Sequence, residues 1–124
     1  ELDRVYTECN TCISLNVEGK TAELQVRDII SINAADYYSR VLCSGKPRDG
    51  WLVKKTLKAW ETELPGEVMY RISRHVILNM ENIERYEGRT ITMVNGDVYT
   101  IPKGRVKKFR EVYFTYMKRY GRIL

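Results

Sequence analysis

Asn95, Gly96 and Asp97 stand between two short alternating runs, RTITMV and VYTI, and nothing else in the sequence constrains the fold as tightly. Asn-Gly between β-branched runs is the strongest short-range signal for an antiparallel hairpin, because both residues tolerate the positive φ of a tight turn. The chain repeats this theme in weaker form. CISLNV (12–17) and TAELQV (21–26) flank EGK and read as a first hairpin. RDIISINAADYYSRVLC divides at NAAD, which predicts one strand over residues 29–32 and another over 38–43. SGKPRDG (44–50) is dense in turn formers and predicts an exposed loop, after which WLVKKTL resumes a strand. EVMYRIS and VIL (76–78) are two further strands, with the polar Ser73, Arg74 and His75 interrupting between them.

Two stretches change to helical spacing. Leu57, Trp60 and Leu64 recur at steps of three and four until Pro65 and Gly66 stop the helix. Val106, Phe109, Val112, Tyr113, Tyr116 and Tyr120 line one apolar face of a helix over 106–120, ringed by Lys107, Lys108, Arg110, Lys118 and Arg119. About eight short strands with two helices predict a mostly β domain of small antiparallel sheets. Parallel α/β architecture is excluded, because strands and helices do not alternate. A chain of 124 residues holds one domain, with residues 1–11 a leading segment or linker. Trp51 and Trp60 are expected in the core, Asn79 in a turn or cap, and one of Tyr37 and Tyr38 facing inward.

The net charge is +5, and its distribution matters more than its size. Residues 1–64 carry nine Lys or Arg against ten Asp or Glu, whereas residues 65–124 carry twelve against six. Residues 103–124 hold eight basic side chains and a single acid, Glu111. A one-sided basic field draws polyanions, of which nucleic acid is the commonest in the cytoplasm. The start at Glu1 without a methionine points to a fragment of a longer protein. ELDRVYTECN has no signal pattern and no apolar run reaches the roughly 18 residues of a membrane span, so the expected compartment is the cytoplasm.

Chemistry needs a constellation, and the sequence offers little toward one. His75 is the only histidine, and its immediate neighbours Arg74 and Val76 supply no acid–base partner. There is no GxSxG, HExxH, Walker A or GxGxxG run, so an enzyme is not expected. Cys9, Cys12 and Cys43 are an odd set; CNTC supplies at most half a tetrahedral zinc site, so neither a metal nor another cofactor is expected.

Taken in order, four segments resemble the LytTR family of DNA-binding domains. DIISINAADYYSRV matches that family's opening D-I-x-x-I-E-A pattern, LVKKTLKAWETELP its strand followed by TLKxLExxLP, and MYRISRHVILN its F-x-R-I-H-R-S-x-I-V-N run. NIERYEGRTITMVNGDVYTIP matches the hairpin that follows, so the likeness spans residues 12 to about 110. Departures are local. Asn33 replaces a glutamate, Ser73 a histidine and His75 a serine, and Pro102-Lys103 stand for Ser-Arg after the last strand.

The resemblance implies an elongated set of small antiparallel sheets that reads the major groove of double-stranded DNA with loops. It implies the effector domain of a bacterial response regulator, binding paired repeats in a promoter. A homodimer on DNA and an upstream receiver domain in the parent chain belong to the same expectation. The family contacts carry onto Tyr38, Ser39 and Arg40, onto Arg71, Arg74 and His75, and onto Lys103, Gly104 and Arg105. Arginine can donate two parallel hydrogen bonds to guanine, which favours Arg74 or Arg105 for base reading. Lys54, Lys55, Lys107 and Lys108 suit phosphates, and alternation in a strand would let only one of Lys54 and Lys55 face DNA. Two rival functions remain, a β-rich module that docks an acidic protein and an RNA-binding surface built on Tyr37, Tyr38 and Tyr99.

Overall fold

The computed structural model describes residues 12–17, 19–45 and 49–120. The leading segment 1–11, Cys9 and the middle of the SGKPRDG loop lie outside the described residues. In chain order the strands are β1 Cys12–Val17, β2 Lys20–Gln25, β3 Ile29–Ala35, β4 Tyr38–Cys43 and β5 Trp51–Val53. Helix α1, Leu57–Glu63, precedes β6 Met69–Ser73, β7 Val76–Asn79, β8 Ile83–Glu87, β9 Thr90–Met93 and β10 Val98–Thr100. Helix α2, Val106–Tyr120, completes the described chain and matches the expected helix in both bounds.

Every strand pairing is antiparallel. β1 and β2 form a hairpin, β8, β9 and β10 a three-stranded sheet, and a central sheet has the order β5-β4-β3-β7-β6. The central sheet packs core on both faces along β3, β7 and β6, while β4 and β5 leave Tyr38, Arg40 and Leu52 exposed on one face. In register, Ile32 stands beside Val41 and Ile77, and these pack with Leu57, Trp60 and Leu64 of α1 and with Leu15 of β1. Toward the other side Ile30, Ile72 and Leu78 meet Ile83, Ile91 and Met93 of the second sheet and Phe109 and Tyr116 of α2. A bulge between Ile29 and Ser31 shifts the alternation by one residue, so Ile29 and Ile32, three apart, share one core while Ile30 serves the other. Each core is closed by one fully buried large aromatic, Trp60 or Phe109.

The ten described strands exceed the expected eight, and three local expectations need correction. β3 continues through Asn33 and Ala34 to Ala35, because Asn33 pairs with both Arg40 and Val76; the chain reverses only at Asp36, whose φ is 58°. Asp is among the few residues that take up this left-handed conformation cheaply. Tyr37 therefore sits in the turn, and neither it nor Tyr38 faces inward. β5 stops at Val53 rather than running to Leu57, since the Thr56 side chain caps α1 by accepting from Ala59 N at 3.2 Å. Lys54 and Lys55 thus lie in a connection, and strand alternation does not govern them.

The Asn95-Gly96 hairpin forms between β9 and β10, but through a longer turn than the tightest kind. Met93 N donates to Asp97 O at 2.8 Å and Gly96 alone has positive φ, +94°. Asn95 has no positive φ, and its carboxamide oxygen accepts from Asp97 N at 3.0 Å, a local side-chain turn.

Candidate nucleic-acid interface

Antiparallel pairing decides which loops share an end of the central sheet. Asn33 is opposite Val76 and Ala34 N donates to His75 O at 2.8 Å, so the β3–β4 turn (36–37) and the β6–β7 turn (74–75) are neighbours. Val53 is opposite Ser39, which sets Lys54 beside Tyr38 at that same end. Arg105 completes the group. It lines a cleft of about 520 Å³ together with Glu61, Arg71 and Arg74. The short 3-10 helix Lys103–Arg105 leads directly into α2, whose far end is tied back to the opposite side of the domain. There Arg119 pairs with Glu67, Tyr120 donates to Glu67 at 2.9 Å, and Tyr116 donates to Glu81.

The side chains at the turn-bearing end are not equivalent. Arg74 and His75 are exposed at the tip of the β6–β7 turn, with Lys54 exposed beside Tyr38 and Arg105 beside Arg74; Lys103, Gly104, Lys107 and Lys108 are exposed as well, Lys108 lining a separate cleft with Glu67, Tyr70 and Arg119. Tyr38 is 41% exposed and Tyr37 80%. Ser39 is a correction. It is fully buried, and its hydroxyl accepts from Trp60 Nε1 at 2.7 Å, so it fastens α1 to β4 rather than facing a ligand. Lys55 is engaged within the fold as well, paired with Glu63 and lying 4.2 Å above the Trp60 ring.

Arg71 is the most committed of the predicted contacts. Its Nε donates to Ser73 O at 3.1 Å, Nη2 to Arg74 O at 3.0 Å, and Nη1 to Glu61 Oε1 at 2.7 Å. Arg40 reaches away from the turn end and donates to Asp49 O at 3.0 Å. One functional candidate, Glu61, escapes the sequence reading, because it looks like any exposed helix acid. Tyr37 figures there only as core filling or as part of an RNA-stacking surface on a strand; the turn at Asp36 puts it outside, in a turn.

The LytTr DNA-binding domain family model matches residues 19–113. The chain belongs to the LytTR family of DNA-binding domains. This LytTR domain is also similar to a solved structure, the LytTr DNA-binding domain of a putative methyl-accepting/DNA response regulator from Bacillus cereus. The two share 19% identity with a TM-score of 0.69, and the match covers 82% of this chain and 95% of that one, which establishes a common fold. No curated protein gives a match.

Elsewhere in the domain, the described residues contain no group of three or more His, Cys, Asp or Glu placed to hold a metal. Burial, assisted by the nearby Asp28 charge, pushes the Cys43 thiol up to about 11, so it remains protonated at neutral pH.

Proposed function

We propose that this LytTR domain recognises double-stranded DNA by sequence through the turn-bearing end of the central sheet, as the effector domain of a bacterial transcriptional regulator. One observation carries the reading: the pairing of β3, β4, β5 and β7 gathers Lys54, Tyr37, Tyr38, Arg74 and His75 at one sheet end, with Arg105 beside Arg74. Loops of this kind enter the major groove, where Arg74 and Arg105 have the planar fork that pairs with guanine. Lys54, Lys103, Lys107 and Lys108 serve phosphates and set the register on the duplex. Gly104, which carries no side chain, lets the backbone between Lys103 and Arg105 come close to the DNA.

The mode of action is binding rather than catalysis, in the cytoplasm. Among the described residues no helix is long and apolar enough to cross a membrane. The reading extends to paired repeats in a promoter occupied by two copies, with a receiver domain elsewhere in the parent chain. The related Bacillus cereus structure, described as coming from a putative response regulator, supports that context.

A duplex selected by the protein from a randomised library, compared with a scrambled duplex and single-stranded RNA at fixed moderate salt, tests the reading. Preference for the selected duplex is expected. With about six phosphates engaged, affinity falls by roughly a thousandfold between 50 and 200 mM salt. Equal binding to all three nucleic acids, or no dependence on salt, overturns it.

A further inference from the structure

Arg71 lies three residues before the β6–β7 turn and belongs to the cleft that holds Arg74 and Arg105, so it has the position of a third DNA-binding cation. Its hydrogen bonds assign it another role. All three guanidinium nitrogens are engaged inside the protein, two of them on the carbonyls of Ser73 and Arg74 that shape the turn, and the third on the Glu61 carboxylate. A planar fork can hold two successive carbonyls and a carboxylate at once; an ammonium on a flexible stem cannot. Ser73 Oγ adds a local bond, accepting from His75 N at 3.1 Å.

Glu61 in turn stands on a rigid base. The next residue back, Trp60, is fully buried and donates to Ser39 Oγ, one position beyond Tyr38 at the start of β4. Helix α1 therefore reaches both turns. Trp60 fastens the strand that leaves the Asp36–Tyr37 turn, and Glu61 acts through Arg71 on the turn that carries Arg74 and His75.

We propose that Arg71 and Glu61 are positioning residues for DNA reading: they fix the backbone of the β6–β7 turn so that Arg74 is presented in one orientation, and Arg71 does not itself bind DNA. This rests on the reading of Arg74 as a base contact given above. A direct contact and a brace differ in what they do to specificity. A phosphate contact contributes to every duplex equally and to the salt slope, whereas a brace acts on the preference for one sequence over another.

Arg71→Lys, Glu61→Gln and Arg74→Ala are compared with the native domain on the selected and scrambled duplexes, with thermal unfolding measured for each. Arg71→Lys keeps the charge and loses the fork. Under the proposal its ratio of selected to scrambled binding falls roughly tenfold, with scrambled binding and the salt slope unchanged and the unfolding transition intact. Glu61→Gln removes a negative charge beside the DNA face, which by charge alone strengthens binding to both duplexes and leaves their ratio fixed. The proposal requires the ratio to fall, by less than in Arg71→Lys because the amide oxygen still accepts from Nη1. A full native ratio in Arg71→Lys, while Arg74→Ala loses discrimination, overturns the proposal and leaves the DNA-reading assignment standing. If Arg74→Ala keeps full discrimination, the assignment of Arg74 fails first.

Discussion

The two ends of the central sheet use their polar side chains in opposite ways. At the end where β7 stops and β3 begins, Asn79 is fully buried and donates to Val26 O at 3.1 Å and Ile29 O at 2.7 Å, while its oxygen accepts from Glu81 N at 2.9 Å. Asn82 also donates to Ile29 O, at 2.7 Å, and to Arg27 O at 3.0 Å. Each of these groups is consumed in joining one strand to the next. At the turn-bearing end Arg74 and His75 project into solvent, and what holds their turn is Arg71 and Ser73 below them. Polar side chains spent inward make a rigid frame, and those left unspent are available to a ligand.

Four substitutions and one labelling measurement break or sharpen this contrast, taken from the largest expected effect to the smallest. Asn79→Leu removes all three side-chain bonds of Asn79 from a buried site and leaves the Glu81 amide without its acceptor, while Val26 O keeps Ile29 N and Ile29 O keeps Asn82; a loss of about 3 kcal/mol is expected in urea unfolding. Its discrimination between selected and scrambled duplexes should be native at temperatures where it stays folded. A change in that ratio would show that the two ends are not separable.

Arg74→Ala is the mirror case. We expect no change in unfolding beyond about 0.5 kcal/mol and a loss of about 1–3 kcal/mol in binding to the selected duplex, measured by titration. Lys107→Ala should weaken all duplexes about equally and flatten the salt slope by about one. Identical behaviour of the two variants would contradict the division between base and phosphate contacts.

Ser39→Ala stands between the two ends in effect. It leaves the buried Trp60 Nε1 without its acceptor, which costs about 1–2 kcal/mol of stability and should blunt discrimination only slightly. Stability equal to the native domain would mean that the Trp60 bond does not brace β4.

The smallest effect concerns the thiol on the side away from the turns. With its pKa raised from 9.0 to about 11, Cys43 should alkylate far more slowly at pH 8 in the folded protein than in urea, as peptide mapping would read. The sign for stability follows from the tighter proton in the folded state. This contribution is fully present below pH 9 and is lost as the pH rises toward 11. Equal labelling of Cys43 in the folded and unfolded protein would refute its burial.

Much of this was legible residue by residue. The spacing of Val106, Phe109, Tyr116 and Tyr120 fixed a helix whose observed bounds are the expected ones, because an amphipathic stripe of four turns has no competing solution. Asn79 read as a turn former, and it caps the 3-10 helix Met80–Asn82. Short segments were harder. NAAD carries turn formers, yet β3 runs through most of it because two neighbouring strands supply hydrogen bonds that local preference cannot foresee. WLVKKTL carries strand formers, yet the capping bond of Thr56 ends the strand after Val53.

The candidate site divides in the same manner. Arg74 and His75 stand in a turn and Arg105 ends a short 3-10 helix, where exposure follows from the backbone alone, and all three are exposed. Ser39, Arg71 and Lys55 have the right chemistry at the right place in the chain, but Trp60, Glu61 and Glu63 claim them. All three claimants lie on α1, and that helix packs beneath the sheet through contacts no periodicity encodes.

Hydrophobic alternation, helical spacing and turn chemistry are local properties, so the sequence by itself determined the mostly β class, both helices, the hairpins and the basic C-terminal half. Which polar side chains remain free depends on partners far along the chain: Arg71 meets Glu61, Ser39 meets Trp60, and Asn79 meets Val26. Only the tertiary structure decided that, because a hydrogen bond needs both groups within about 3 Å and correctly aimed, and folding alone brings them there.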